Sequence, residues 1–551
     1  HAAGAPEMGV LRDSDGQWYM REEAGGLILG PYEKGAPACY VDGPSDDSEY
    51  ELFQEDLERL EPHIMSAMER VPAFGEVGVK KVYNGAIAYT PDGNPIVGPA
   101  WDLPNFWLNE GHSFGITAAG GAGWQLAEWI VEGEPTIDML GVDPRRYGSY
   151  TSESYLKVKN EEAYANVFTT HYPDEERPAA RPLRTAPCYD RLKNLGAVFG
   201  QKFGWERANW FAPEGVPQED HWSFRRSNWF EHVGNEVRNV TENAGLLDMS
   251  AFAKARISGP GAEAFLDYLV ANKLPQKVGR VALCHALTER GGVHSEFTIQ
   301  RESDDSFYLV SAGAGQRLDH DWIKKHMPDD GSVRFDNLTN AVGVLVLAGP
   351  KSRDILQKLT RTDLSNAAFP WLSSKLIEVG LAPAMAFRTN FVGELGWELY
   401  IPTEFMQDVY DRIVAAGKDH GLVHAGYHAL NSLRLEKAYR HWSHDITDED
   451  SPLEAGLDFV VKFDKAGGFI GREALLAQRE QGLTRRLVQL RLTDPQPLIY
   501  HNEPIWRNGA LVGHITSGAY GHVLGGAVGL GYVSCEPDAA AESVLSGQYE
   551  V

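Results

Sequence analysis

Cysteine is scarce in this sequence, with Cys39, Cys188, Cys284 and Cys535 the only four in 551 residues. They are widely scattered and show no C-x-x-C and no metal-ligand spacing. That excludes a disulfide-stapled scaffold and offers no metal site, so free thiols in a reducing compartment are expected. Positive charge is also short: 51 Lys and Arg stand against 77 Asp and Glu, a net charge of −26. Such a surface disfavours nucleic acid and anionic membrane as partners and favours solubility. No uninterrupted apolar run is long enough to cross a bilayer, so no membrane insertion is expected. His1-Ala-Ala-Gly-Ala-Pro-Glu7 lacks the basic start and apolar middle of a signal peptide. The expected location is the cytoplasm, or the mitochondrial matrix in a eukaryote. No G-x-G-x-x-G opens a βαβ unit near the N-terminus.

What is there is ordinary for a globular protein: 43 % apolar and 23 % charged residues. The length exceeds the ~250–300 residues at which single cores stop growing, so several domains are expected. The most informative stretch is Arg388–Pro402. Alternation of Ala386, Arg388, Asn390 and Val392 against Phe387, Thr389 and Phe391 predicts a half-buried strand. Gly393 and Gly396 punctuate a reversal, and Trp397, Leu399 and Ile401 resume the alternation. Glu394 and Glu398 therefore flank a hairpin. A carboxylate accepts two hydrogen bonds side by side, which suits the amino-and-ring-NH edge of a pterin or guanine. Taken alone, the stretch reads first as a surface hairpin with solvated acids.

Met8–Asp13, Gln17–Glu22 and Gly25–Tyr32 read as strands, with Asp15-Gly16 as a hairpin signal, and Glu51–Met68 carries a helical spacing. Phe106–Thr117 runs through Gly111, Ser113 and Gly115 into a helix rich in small residues. Such a helix start offers free N–H groups to electron-rich oxygens; the plain alternative is a tight turn before a packed helix. Proline and charge mark 142–215 as a linker ending in the aromatic-rich segment Gly196–Pro213. Ile257-Ser-Gly-Pro…Leu269 and Leu347-Ala-Gly-Pro…Leu359 match with leucines in register. That favours a duplicated strand–helix unit over a chance recurrence of Gly-Pro turns. Between the copies, a Gly291-Gly292 turn leads into a strand whose alternation puts Glu296 on one face with His294 and Thr298. Taken alone, Glu296 is a solvated acid. His424–Trp442 reads as one helix, and strand-rich sequence begins near Thr484.

Val392-Gly-Glu-Leu-Gly-Trp-Glu-Leu-Tyr400 resembles the folate hairpin of the aminomethyltransferase (glycine-cleavage T-protein) family, in the version fused to flavin-dependent dimethylglycine and sarcosine dehydrogenases. Thr90-Pro-Asp-Gly-Asn-Pro-Ile-Val-Gly98 with Gly111-His-Ser-Phe-Gly-Ile-Thr117 resembles the C-terminal end of a D-amino-acid-oxidase-like flavin domain. The segment Gly196–Pro213 and the Ser432-Leu-Arg-Leu-Glu-Lys-Ala-Tyr-Arg-His-Trp442 run resemble the same dehydrogenases. The resemblance covers essentially the whole chain.

It implies an α+β multidomain chain. Residues 1–140 form the C-terminal part of an FAD domain and 141–215 a connector. Residues 216–480 form a pseudo-symmetric folate-binding domain, and 481–551 an incomplete C-terminal β-barrel. The other half of the flavin domain lies in the same or another chain. The implied cofactors are FAD, facing Gly111, His112, Ser113, Gly115 and Ile116, and tetrahydrofolate, held by Phe391 and Glu398. Glu296 matches the acid near folate N10, with Glu for the Asp of some relatives, and Tyr19 matches a tyrosine near the flavin. Phe391 stands where some relatives carry Tyr. Leu430 stands where the T-protein has a folate-contacting Arg, and that contact is not carried over.

The implied reaction is oxidative N-demethylation of a methylated glycine, dimethylglycine first and sarcosine next. The iminium crosses an internal cavity and is captured as 5,10-methylenetetrahydrofolate. Partners are the small amine and an electron-transfer flavoprotein, the latter an alternative to oxygen as acceptor. The rival reading is a folate-binding module or assembly subunit without redox activity of its own.

Overall fold

The structure, a computed structural model, describes residues 8–537 and 539–551. The stretch His1–Glu7 that was read for a leader lies outside them. The chain divides into two compact units, one up to Arg181 and the other from Pro182 onward.

The first unit begins with an antiparallel sheet of Leu11–Asp13, Trp18–Glu23 and Gly26–Pro31. Its first turn is organised by Asp13, whose Oδ1 accepts from the amides of Asp15 (3.0 Å) and Gly16 (2.8 Å). The helix Leu57–Arg70 packs over Trp18 and Met20 through Ala67. It starts later than the apolar spacing from Glu51 suggested, because the Asp56 side chain caps the Arg59 amide (3.1 Å). A ribbon of Ile96–Pro99 and Trp107–Glu110 then leads into the helix Gly115–Glu132. Val97, Trp129 and Met139 form the small core beneath it.

The second unit is built on a duplication. In each copy a strand, a Gly-Pro turn and a helix precede a three-strand meander. The first copy runs Ala253–Ser258, helix Ala262–Leu269, then Val281–Leu287, Val293–Ser303 and Ser306–Ser311. The second runs Val342–Ala348, helix Ser352–Gln357, then Ser374–Val379, Ala382–Phe387 and Gly396–Pro402. Each copy forms a sheet in the same strand order. Each sheet is then extended by the strand that precedes the other copy. Ala244–Asp248 leads into the first copy but pairs with Val342–Ala348, and Arg334–Asn337 leads into the second but pairs with Ala253–Ser258.

Alternation gives each sheet an outer and an inner face. The first sheet turns Ile257, Phe297, Ile299, Phe307 and Leu309 onto its helices. The second turns Leu345, Leu347, Trp397, Leu399 and Ile401 onto its own. The inner faces meet in one core that joins Val281, Tyr308 and Val310 to Val344, Val346, Phe387 and Tyr400. The hairpin of Ala197–Lys202 and Trp205–Phe211 packs with the helices Phe230–Glu242 and Tyr427–Glu436. Glu236 fastens this corner by accepting from the Phe211 (2.8 Å) and Gly426 (2.9 Å) amides. Residues from Arg485 form a five-stranded antiparallel sheet against the same helix.

Two expected elements end early. The helix expected through Trp442 stops at Glu436, and Ala438 takes a left-handed φ of 55°. The strand expected through Val392 stops at Phe387. Asn390 ends it, its Oδ1 accepting from the amides of Val392 and Gly393, both at 3.0 Å. This local turn offers the backbone an alternative to the sheet ladder. Among the described residues no helix is long and apolar enough to cross a membrane, and no cluster of His, Cys, Asp and Glu could hold a metal ion.

Candidate functional site

The inner faces carry an unusual load of polar side chains. On the first sheet, Glu296, Thr298 and Gln300 share the face that looks away from the helices, with Tyr308 paired opposite Gln300. On the second, Glu398 and Tyr400 stand two residues apart on one face, opposite Phe387 and Met385. The Tyr400 hydroxyl donates to Glu398 Oε2 at 2.7 Å. The Tyr308 ring packs on Tyr400 at 5.6 Å, which brings the two inner faces into contact. Gln300 Nε2 reaches Met385 Sδ at 3.6 Å.

Glu398 is 7 % exposed. Burial pushes its carboxyl up to about 7, and the Tyr400 hydroxyl offsets part of that rise. Two further polar atoms in this layer, the Tyr308 hydroxyl and Gln300 Oε1, are buried without a hydrogen-bond partner among the described residues. Buried polar groups are normally satisfied, because an unpaired one costs roughly 1–3 kcal/mol. Together with Glu398 they make a set of donors and acceptors that a heterocycle carrying its own N–H and carbonyl groups would satisfy.

Glu296 lies two same-face positions from Gln300, about 13 Å along the strand at ~3.3 Å per residue. Its Oε2 pairs with His285 Nε2 at 2.9 Å. His294 does not share this setting as the alternation suggested. It packs on Trp322 at 4.1 Å and pairs with Asp448 at 3.2 Å. The Gly-Gly turn before it is needed because a Cβ on Gly292 would lie 1.7 Å from the Asp448 carbonyl oxygen.

The loop 388–395 replaces the expected first strand of the hairpin. Glu394 therefore does not partner Glu398; it forms an ion pair with Lys437 at 3.1 Å. Gly393, at φ 83°, lets the Lys437 stem pass where a Cβ would meet it at 2.6 Å. Phe391 sits on this loop and stacks on Tyr439 at 5.9 Å, with His441 at 6.4 Å. The early end of the preceding helix delivers those two rings. Tyr308, Gln300, Tyr439, His441 and His285 were not singled out from the sequence. The alternation that placed Glu296 also carries Gln300 and was the available signal. Tyr439 and His441 depend on a left-handed residue that no periodicity marks.

In the first unit, the helix Gly115–Glu132 begins after Phe114 without a side-chain cap. Its first N–H groups thus lack a side-chain acceptor. Ile116 is 100 % exposed, and a Cβ on Gly120, Gly121 or Gly123 would meet nothing. His112 bonds Asn109 at 2.7 Å while its Nδ1 is buried with no partner among the described residues. Ser113 lies beside Tyr89. Tyr19 is joined to this helix start by a run of rings: Phe168 at 6.2 Å, then Tyr32 at 4.3 Å, then Phe114 at 6.3 Å.

Comparison with known proteins divides the chain in the same order. Residues 188–465 match the GCVT N-terminal domain family, half of the chain. Residues 1–129 match the FAD dependent oxidoreductase family, 132–186 its central domain, and 485–551 the glycine cleavage T-protein C-terminal barrel domain. The chain is 39 % identical over 545 residues to the mitochondrial dimethylglycine dehydrogenase of Homo sapiens, covering 98 % of this chain and 63 % of that protein. It is 36 % identical over 549 residues to the 4-methylaminobutanoate oxidase (formaldehyde-forming) of Paenarthrobacter nicotinovorans, covering 99 % and 66 %. The chain thus spans less than two thirds of either relative's length. The crystal structure of aminomethyltransferase T of the glycine cleavage system from Bartonella henselae shares the fold, with a TM-score of 0.55 at 24 % identity, over 64 % of this chain and 90 % of that one.

Proposed function

The chain belongs to the GCVT domain family, in the branch that joins this domain to an FAD-dependent oxidoreductase as dimethylglycine and sarcosine dehydrogenases do, and on that premise we propose that it serves oxidative N-demethylation of a small methylated amino acid. When bound, FAD supplies a hydride acceptor for the N-methyl group, and tetrahydrofolate supplies the nitrogen that takes up the resulting one-carbon unit. Dimethylglycine is the first substrate to test and sarcosine the next. The demethylated amine and 5,10-methylenetetrahydrofolate are the products, and formaldehyde replaces the latter when water intervenes.

The observation that carries the folate half of this reading is the inter-sheet layer: a buried carboxylate, Glu398, beside the unpaired Tyr308 hydroxyl and Gln300 Oε1. These fit the alternating N–H and carbonyl edge of a pterin. In its ionised form Glu398 accepts from that edge, and a charge-assisted bond in a dry layer is stronger than a neutral one. Phe391, stacked on Tyr439, supplies a ring wall without a hydroxyl. Glu296, more open than Glu398, assists proton movement at the folate nitrogen that attacks the iminium carbon. On the flavin side the residues also fit. The uncapped start at Gly115, the exposed Ile116 and the open glycines leave a face that a flat ring would cover. Gly111, His112 and Ser113 lead into it, and Tyr19 stands at the far end of the ring cluster.

The test is anaerobic spectroscopy on the whole protein. Dimethylglycine or sarcosine is expected to bleach the oxidised flavin band, and added tetrahydrofolate to divert carbon from formaldehyde to methylenetetrahydrofolate. A flavin that neither amine reduces, in a protein that binds tetrahydrofolate by titration calorimetry, would favour the folate-binding module instead.

A further inference from the structure

A carboxylate that assists proton movement has to present one oxygen in a fixed direction. Glu296 is on a strand, its side chain 25 % exposed, and free rotation about its χ angles would spoil that aim. What restrains it is the residue directly opposite. His285 is the register partner of Glu296 on the neighbouring strand Val281–Leu287. Its side chain is fully buried, and its Nε2 lies 2.9 Å from Glu296 Oε2.

The other ring nitrogen decides what the pair can do. His285 Nδ1 is buried and has no hydrogen-bond partner among the described residues. An ionised carboxylate only accepts, so the ring must carry its proton on Nε2 to make the bond. A second N–H at Nδ1 would be buried and unsatisfied, which is costly. The ring is thereby held in one tautomer, and among the described residues no side chain or backbone group stands ready to exchange a proton with Nδ1. The pair is built to hold, not to relay. Arg440, on the segment after the helix Tyr427–Glu436, also interacts electrostatically with Glu296. Its Nε and Nη1 donate to the carbonyls of Ala455 and Ala438, both at 2.9 Å, so it contributes a field at Glu296 and not a fixed bond.

We infer that His285 is a positioning residue for one-carbon capture: it clamps Glu296 Oε2 so that Oε1, which accepts no hydrogen bond among the described residues, faces the reacting folate nitrogen. The inference rests on the role given to Glu296 under the proposed function.

Two measurements test it. The first needs no folate and no turnover. Ring ¹⁵N NMR of the histidines, with His285 assigned by substitution, is expected to show the proton on Nε2 and a changed Nε2–H resonance in Glu296→Gln. A proton on Nδ1, or a spectrum indifferent to Glu296→Gln, would overturn the inference. The second follows the split between methylenetetrahydrofolate and formaldehyde in the whole protein. His285→Leu is expected to lower the captured share about tenfold, the scale of one lost bond to a charged group. His285→Gln, whose amide places a donor near the position of Nε2, should restore most of it, and the rate of flavin reduction should not change in either. A leucine variant that captures carbon like the parent sinks the idea. If the leucine variant does not fold, the glutamine variant decides alone, and lost capture in folded protein counts against the clamp. Failure of the underlying reading looks different: Glu296→Gln itself would then leave the split unchanged.

Discussion

Glu296 and Glu398 are the same functional group on facing sheets, yet their surroundings suit them to the different work proposed for them. Glu398 is shut in and, among the described residues, takes one hydrogen bond, from a neutral tyrosine hydroxyl two residues along its own strand. Burial dominates, and its carboxyl rises to about 7. Glu296 keeps a quarter of its side chain open and is tied across the strands to a buried histidine. A shut-in acceptor suits recognition, since it gains most when a ligand supplies the missing donors. An acid that is restrained but reachable suits chemistry on something passing through. The difference lies in burial and in which neighbour makes the bond.

The largest expected effect is on the reachable acid. Glu296→Gln in the whole protein should leave amine-dependent flavin reduction near normal and cut methylenetetrahydrofolate formation by ~10²–10⁴-fold, the usual contribution of a general acid or base, with formaldehyde rising in its place. A product ratio unchanged at saturating folate would collapse the contrast.

The shut-in acid should show itself in binding and in pH. Glu398→Ala is expected to weaken tetrahydrofolate binding by roughly tenfold or more, on the scale of charge-assisted bonds, as read by titration calorimetry. Because the pterin edge calls for the ionised form, affinity of the parent should rise with pH up to about 8 and fall by up to about tenfold per unit below 7. Glu398→Gln should flatten that dependence. Without ligand the sign reverses. A carboxyl whose folded value is raised favours the folded state at low pH, and that advantage is lost as pH rises from about 4.5 through about 7. Glu398→Gln should therefore match the parent's denaturant stability near pH 4 and exceed it near pH 8, by about 3 kcal/mol. Equal stability at both pH values would mean that the carboxyl is not desolvated.

The smallest effect concerns the ring wall. Phe391→Tyr should tighten tetrahydrofolate binding slightly, within the ~0.5–1.5 kcal/mol of a neutral hydrogen bond. If it outweighs Glu398→Ala in magnitude, the ranking of the two positions is wrong.

Much of this was legible beforehand. The duplication and the strand-rich C-terminal region could be read because period-2 alternation and Gly-Pro turns are local signals, whereas alternation alone left both acids on solvated faces and only the family resemblance singled them out. The failures have local causes too. Asn390 ended a strand that alternation would have continued, since its side chain bonded the backbone two and three residues on. Ala438 broke a helix with a conformation that its sequence does not advertise. Those two breaks placed Phe391, Tyr439 and His441 together. The pairing of His285 with Glu296 was out of reach for another reason: register across a meander is fixed by packing of whole sheets, and a shift of one residue would have reversed both faces.

The crossed leading strands have a consequence for cutting and rejoining the chain. A protease that severs the chain near Gly331, ahead of Arg334–Asn337, would leave two fragments, each holding most of one sheet and one strand that belongs to the other. Neither could complete its hydrogen-bond ladder alone, and each would present an open edge shaped for its counterpart. Such halves are complementary parts and not independent modules, so this unit should lose its structure in a single step.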